Sequence, residues 1–207
     1  MDSRVPALLL VGPTGSGKSP LGRILERLSG WVHLDFGELL RAIAAGEESY
    51  GLSGEECDFV RGLLRENALF PDDAFSLVGT VLESFLAKRG GPAGRPPGLV
   101  LNGLPRHLSQ AVSLSAYVDV RRVAFLNASP EIVRERVARR RRGEGADHAG
   151  RADDSMADVR RKLAIFEERT RPLLEYYAEQ GVPIAELLID SVEADEERLA
   201  EQLLEQD

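Results

Sequence analysis

The sequence predicts an α/β fold built on a five-stranded parallel sheet flanked by helices, and three observations lead to that expectation. Short apolar runs alternate with stretches of helical periodicity along the whole chain, the pattern of successive strand–helix units rather than of hairpins. The runs Ala7–Val11, Trp31–Asp35, Leu99–Leu101, Arg122–Leu126 and Leu187–Asp190 are strand-length and largely apolar, as in strands buried on both faces. Third, the first run leads straight into Gly12-Pro13-Thr14-Gly15-Ser16-Gly17-Lys18-Ser19. Leu21, Ile24, Leu25 and Leu28 follow at i, i+3, i+4 and i+7, one apolar face of a helix.

The remaining elements follow in order. Gly30 closes the first helix, and Gly37–Ile43 begins a short helix after the second strand. Residues 47–90 read as helical throughout. Ser53 and Glu56 form a capping box, and Val60, Leu63 and Leu64 give the helix after it an apolar face. Asn67–Phe70 is a break. Pro71 opens the next helix, with Asp72 and Asp73 near its N-terminus and a stripe of Phe75, Val78, Leu82, Phe85 and Leu86. Gly90–Gly98, rich in Gly and Pro, reads as an exposed loop. The third strand ends in Asn102-Gly103-Leu104-Pro105-Arg106, and a helix follows over Leu108–Tyr117. After the fourth strand, Ser129 and Pro130 cap and open a helix that runs into an arginine patch. Residues 143–150 keep no packing pattern and read as a flexible loop, with His148 given no strong functional part. A long helix begins near Ser155, with Val159, Leu163, Phe166, Leu173 and Tyr177 on one face and a bend expected at Pro172. Leu199–Leu204 closes the chain.

Bulk properties narrow the function. A length of 207 residues fits one domain, and 43% hydrophobic with 29% charged residues describes a globular chain. No apolar run approaches the roughly 18–20 residues of a membrane span and no secretory leader is legible, so the expected location is the cytoplasm. The lone Cys57 excludes an internal disulfide and a multi-cysteine zinc site, and reads as a buried structural thiol. His33 reads as a strand residue without catalytic duty. A net charge of −8 argues against non-specific nucleic-acid binding. Arg134, Arg136 and Arg139–Arg142 nevertheless crowd one segment, which suits a small polyanion better than a polymer.

Gly12–Ser19 matches G-x-x-x-x-G-K-S/T, and its place between strand and helix is the context in which that motif works. Glycines let the loop turn its N–H groups inward, and the following helix N-terminus adds partial positive charge, so main chain can hold a polyphosphate. Gly12, Thr14, Gly15, Ser16 and Gly17 form the cradle. In this motif Lys18 reaches the β- and γ-phosphates, and the Ser19 hydroxyl ligates Mg²⁺. The expected ligand is a nucleoside triphosphate, ATP by analogy below.

Over nearly its full length the chain also resembles the adenylate kinase family of nucleoside monophosphate kinases, which share the P-loop NTPase fold. The phosphate loop comes first. Gly37–Arg41 is similar to G-D-x-L-R, Asn67–Asp73 to G-x-L-V-P-D-E, and Asn102–Arg106 with Gln110 to D-G-F-P-R-x-x-x-Q. Arg136 and Arg140 enter a lid, Arg151–Asp154 leave it, and Thr170 through Tyr177 completes the order. The resemblance implies Mg-dependent ATP + AMP = 2 ADP by a monomer. It implies a core of residues 1–36, 99–135 and 155–207, a helical acceptor-binding insertion at about 37–90, and a short lid at about 139–154 lacking the four-ligand insertion of some relatives.

By the same resemblance Arg41 and Arg106 hold the acceptor phosphate, while Gln110 hydrogen-bonds the base. Gly37, Gly103, Leu69 and Phe70 complete that site. Arg136 and Arg140 face ATP, and Arg151 meets the transferring group. Lys18, Arg106, Arg140, Arg151 and Lys162 form the catalytic set. Arginine suits such chemistry, being always charged and able to make bidentate contacts with phosphate oxygens.

Three positions depart from the family pattern. Asn102 replaces an Asp that sits near Mg²⁺, with Asp35 or Glu38 as possible compensating carboxylates; on sequence alone, Asn102→Asp is expected to raise activity or lower the Mg²⁺ requirement. Lys162 replaces a phosphate-contacting arginine. Gly37 is read as replacing a Thr that often touches the base, leaving base recognition mainly to Gln110. Two alternatives stand beside the AMP reading: a small kinase for CMP, UMP, GMP or a non-nucleotide acceptor, and a nucleotide-binding sensor with weak transfer.

Overall fold

A computed structural model describes residues 4–66, 68–90, 96–144 and 155–205. Its elements, in order, are β1 (Val5–Val11), α1 (Lys18–Ser29), β2 (Val32–Asp35), α2 (Phe36–Ala45), α3 (Gly54–Arg65), α4 (Phe75–Arg89) and β3 (Leu99–Asn102). These are followed by α5 (Leu108–Leu114), β4 (Val118–Ala128), α6 (Pro130–Arg141), α7 (Met156–Ile165), α8 (Leu173–Glu179), β5 (Ile184–Ile189) and α9 (Glu196–Leu204). The five strands form one parallel sheet in the order β2-β3-β1-β4-β5. The fold is therefore α/β of the P-loop kinase type.

The sheet order explains where a ligand can enter. From β1 the chain passes to β2 at the sheet edge and returns to β3 beside β1, then crosses to β4 and β5 on the other side. Helices on either side of such a reversal diverge and leave a crevice beyond the carboxyl ends of the central strands. The glycine loop after β1 opens into that crevice. Packing follows the two-residue strand period: in β1, Val5, Ala7, Leu9 and Val11 join one core, whereas Leu8 and Leu10 join the core on the opposite face.

Local expectations hold where they rest on backbone chemistry. The Ser53–Glu56 capping box is present in both directions, with the Glu56 N–H donating to Ser53 Oγ at 3.3 Å and the Ser53 N–H to Glu56 Oε2 at 2.7 Å. Ser129 Oγ accepts from the Ile132 N–H, with Pro130 in the first turn of α6. Gly30 caps α1 with φ of 73°. Cys57 is buried.

Other expectations are corrected. Residues 47–90 are not helical throughout: the chain turns after α2 at Gly46, Tyr50 and Gly51, all with positive φ. Pro71 opens a single 3-10 turn, Asp72–Ala74, and α4 starts at Phe75. The fourth strand begins earlier, at Val118, because Val118, Asp119 and Val120 pair with Val5, Pro6 and Ala7. A register shift after Ala7 and the interleaved charges hid this from the apolar pattern. The helix after β3 ends at Leu114 rather than Tyr117. Near Pro172 the distortion is distributed. Phe166–Thr170 is a π-helical turn in which the Arg171 N–H donates to Phe166 O at 2.8 Å. Proline supplies no N–H and its ring crowds the carbonyl four residues back, so the turn before it widens.

His33 lies between β2 and α1, where the absence of a side chain at Gly22 makes room for its ring. A Cβ on Gly22 would stand 2.2 Å from His33 Nε2. Burial lowers the pKa of this imidazole to about 4, and Nε2 has no hydrogen-bond partner among the described residues. Gly22→Ala should therefore destabilise the protein by roughly 1–3 kcal/mol, although Ala normally favours a helix. A thermal melt checks this; an unchanged or higher midpoint would contradict it.

Candidate active site

The phosphate loop takes the conformation its glycines permit. Gly15 and Gly17 have φ of 74° and 101°, and a Cβ at Gly12 would come within 2.8 Å of the Leu126 carbonyl in β4. Thr14 lines the crevice, whereas Ser16 is buried and its N–H donates to Pro13 O. Lys18, the first residue of α1, folds back over the loop. Its Nζ donates to Gly12 O at 2.8 Å, to Pro13 O at 2.6 Å and to Ser16 Oγ at 3.4 Å.

Ser19 belongs to a buried polar triangle. Its Oγ donates to Asp35 Oδ2 at 2.5 Å, and Asn102 Nδ2 donates to the same carboxylate oxygen at 2.8 Å and to Ser19 Oγ at 3.1 Å. Asp35 and Asn102 are paired Cα partners at the carboxyl ends of β2 and β3, so the sheet register brings them together. The second carboxylate oxygen, Asp35 Oδ1, accepts the Glu38 N–H and caps α2. Burial alone would raise the pKa of Asp35. Hydrogen bonds from Ser19 and Glu38, with His33 and Arg41 nearby, outweigh it and hold the carboxyl below its ordinary pKa. A hydroxyl, a carboxylate and a carboxamide form a hard, oxygen-rich donor set that suits Mg²⁺, which binds through few protein oxygens and substrate phosphates.

Around this triangle one cleft gathers cations from four helices and a loop: Lys18, Arg41, Arg106, Arg140 and Lys162, alongside Thr14, Gly15, Gly17, Gly37 and Gly103. Arg140 is buried at the end of α6. Lys162, on α7, also borders the neighbouring apolar cleft, so it faces both compartments.

That second cleft is lined by Gly37, Arg41, Leu69, Phe70, Gly103, Arg106 and Gln110, together with Phe36, Leu40, Leu64 and Phe166. One wall is aromatic: Phe36 meets Phe70 edge-on with ring centroids 5.9 Å apart, and Phe70 is met from outside the cleft lining by Phe59 at 6.0 Å. Gly37 has a different surrounding from the one expected for a base contact. A Cβ there would touch the Arg41 guanidinium and Asp35 Oδ1, each at 3.3 Å, so its neighbours are charged groups. Phe36, which sequence reasoning passed over, supplies the side chain at this point of the cleft.

Gln110 is 0% exposed and both ends of its amide are engaged: Oε1 accepts the Arg106 N–H at 2.8 Å and Nε2 donates to Phe70 O at 2.9 Å. It thus ties the segment before α4 to the β3–α5 loop. Arg106 is further fixed by its Nε donating to Gly103 O and by Thr170 Oγ1 donating to its carbonyl, each at 2.8 Å. Gln110→Ala would orphan two main-chain groups, and an expected loss of about 2–6 kcal/mol follows from roughly 1–3 kcal/mol for each. Chemical denaturation reads this directly; a midpoint within error of the parent would refute the clamp.

A third cleft, on the other side of the loop, is bordered by Gly15, Gly17, Pro20, Arg136, Arg139, Arg140 and the 192–196 segment before and into α9. Arg136 pairs with Glu196 at 2.5 Å, and its Nη1 has no hydrogen-bond partner among the described residues. Arg151, Asn67, His148 and the 145–154 part of the expected lid lie outside the described residues. Glu196 and Thr170 complete the surroundings; only its neighbours in space mark Glu196, whereas Thr170 opens the Thr170–Tyr177 stretch.

A parallel sheet with the phosphate loop after β1, helices inserted between β2 and β3, and clefts on both sides of that loop defines a P-loop phosphotransferase of the nucleoside monophosphate kinase class. The adenylate kinase family model matches residues 10–182. Adenylate kinase of Xanthomonas oryzae pv. oryzae (strain MAFF 311018) is 31% identical over 179 residues, covering 84% of this chain and 86% of that protein. Adenylate kinase of Stenotrophomonas maltophilia (strain R551-3) is 32% identical over 181 residues, with 84% and 86% covered. For adenylate kinase of Synechococcus sp. (strain WH7803) the identity is 30% over 197 residues, 93% of this chain and 95% of the relative. The chain belongs to the adenylate kinase family. Among the described residues no helix is long and apolar enough to cross a membrane.

Proposed function

We propose that the protein transfers the γ-phosphoryl group of ATP to AMP, with Mg²⁺. The observation supporting this reading is the convergence of Lys18, Arg41, Arg106, Arg140 and Lys162 on one cleft beside the phosphate loop. Phosphoryl transfer passes through a loose transition state, so the protein's work is positioning and charge stabilisation. The N–H groups of residues 14–18 and the α1 N-terminus hold the donor phosphates. Lys18 exchanges its loop carbonyls for β- and γ-oxygens. Arg41 and Arg106 fix the acceptor phosphate in the adjoining cleft, and Arg140 with Lys162 stabilises charge between the two sites, joined by Arg151. Arg136, already aligned by Glu196, borders the donor nucleotide.

Ser19 would supply the protein hydroxyl that holds Mg²⁺, and the ion would offset the negative charge of the phosphates. On the acceptor side, Phe36 and Phe70 offer an apolar wall to a base and Gln110 holds the wall's main chain in place. Closure over both clefts excludes water and limits hydrolysis of the donor.

A coupled assay with ATP and AMP, CMP, UMP or GMP tests the reading. AMP should give the highest kcat/KM. Turnover with CMP and none with AMP would overturn the acceptor assignment, and absence of transfer to every nucleotide would favour a sensor.

A further inference from the structure

We propose that Asp35 supplies the negative charge of the metal site and that Asn102 serves as its anchor, the carboxylate having its place on β2 rather than on β3. The inference rests on the reading of this crevice as a metal–triphosphate site and identifies its charged residue.

Four observations lead to it. Among the described residues lining the phosphate cleft, Asp35 is the one carboxylate, set among Lys18, Arg41, Arg106, Arg140 and Lys162. Its position is fixed on all sides: Oδ1 caps α2, while Oδ2 receives both Ser19 Oγ and Asn102 Nδ2. The hydrogen bond from Ser19 directs the hydroxyl proton towards β2; one oxygen lone pair accepts from Asn102 Nδ2, and the other is left for a cation. Asn102 points its amide N–H at Asp35 and Ser19, so this side chain acts as a donor within the triangle and contributes no charge. A cation held between Ser19 and the donor phosphates would lie beside Asp35, whether contact is direct or through one of the waters that Mg²⁺ commonly retains. The register pairing of Asp35 with Asn102 makes the two positions neighbours across one strand gap, close enough for a carboxylate on either strand to serve the same ion.

The test compares wild type, Asp35→Asn and the swap Asp35→Asn/Asn102→Asp. Binding of a non-hydrolysable ATP analogue is measured by calorimetry in Mg²⁺ and in EDTA, and Mn²⁺ with the same analogue is followed by electron paramagnetic resonance. Asn caps a helix about as well as Asp, so Asp35→Asn should keep the start of α2, with a thermal melt as control. Removing the carboxylate is expected to weaken metal–analogue binding by about 10–100-fold, the usual cost of losing a supporting group at a metal site. Metal-free analogue should bind equally well or tighter, because a negative charge facing the triphosphate is gone. The swap should recover metal–analogue binding to within about threefold of wild type. Equal losses with and without metal would mark a structural role and overturn the proposal, as would unchanged Mg²⁺ dependence. A folded swap protein that recovers nothing would show that charge at these two positions is not interchangeable, and would overturn it too. Wild type that binds the analogue under neither condition would instead remove the triphosphate reading itself.

Discussion

Lys18→Met is expected to lower kcat/KM for phosphoryl transfer by about 10³-fold, the scale associated with removing a preorganised group from developing charge in a closed site. The ammonium now rests on Gly12 O and Pro13 O, main-chain partners it can leave for phosphate oxygens at little structural cost. Methionine keeps the length of the stem and its helical preference, so α1 should begin where it does in wild type. The effect should fall on turnover, with a thermal midpoint within a few degrees of the parent. A coupled assay and a melt of the same preparation decide it. A loss below tenfold would show that the loop main chain and the arginines suffice without Lys18.

Asn102→Asp should be strongly destabilising in the absence of divalent cation, by about 2–4 kcal/mol or roughly 5–15 °C in Tm. The sequence pattern alone makes this change look like a restoration that should raise activity; the structure adds to it a cost in stability when no cation is bound. Asn102 donates to an oxygen of Asp35 only 2.8 Å away, in a buried site where a second carboxylate would put acceptor against acceptor and like charge against like charge. Mg²⁺ should return part of the loss, since a cation between two carboxylates removes the repulsion. Melts in EDTA and in Mg²⁺ distinguish these effects. A variant as stable as wild type in EDTA would contradict the arrangement of the Ser19–Asp35–Asn102 triangle.

The second prediction depends on one strand gap, and this is where sequence and structure divided the work. Asp35 and Asn102 were each visible as the polar residue ending an apolar run, and Asp35 was one of two carboxylates considered as a substitute for the missing acid. Glu38, the other, contributes its N–H to the cap of α2, while its side chain pairs with Arg23 at 3.4 Å. Nothing in a linear pattern distinguishes the two, because the strand register that pairs Asp35 with Asn102 is a non-local property.

The acceptor side shows the same boundary. Gln110 was legible as a polar residue at a motif position, and the motif suggested a base contact. Only the packed structure reveals that both halves of its amide already hold main chain, linking Phe70 to Arg106. Phe36 escaped notice because an aromatic residue at the start of an apolar helix reads as ordinary core; its place opposite Phe70 depends on how α2 meets the segment before α4. Helix boundaries were missed for local reasons instead, at positive-φ turns after α2 and at the widened turn before Pro172, where a smooth apolar period concealed a change of backbone.

By itself the sequence determined the fold class and the phosphate loop, because both depend on local chemistry: apolar period and glycine conformation. The tertiary structure decided which strand brings the carboxylate to Ser19, what Asn102 does there and what holds Gln110. Those are decided by register and by helix packing, which join residues 16 to 83 positions apart and leave no local trace.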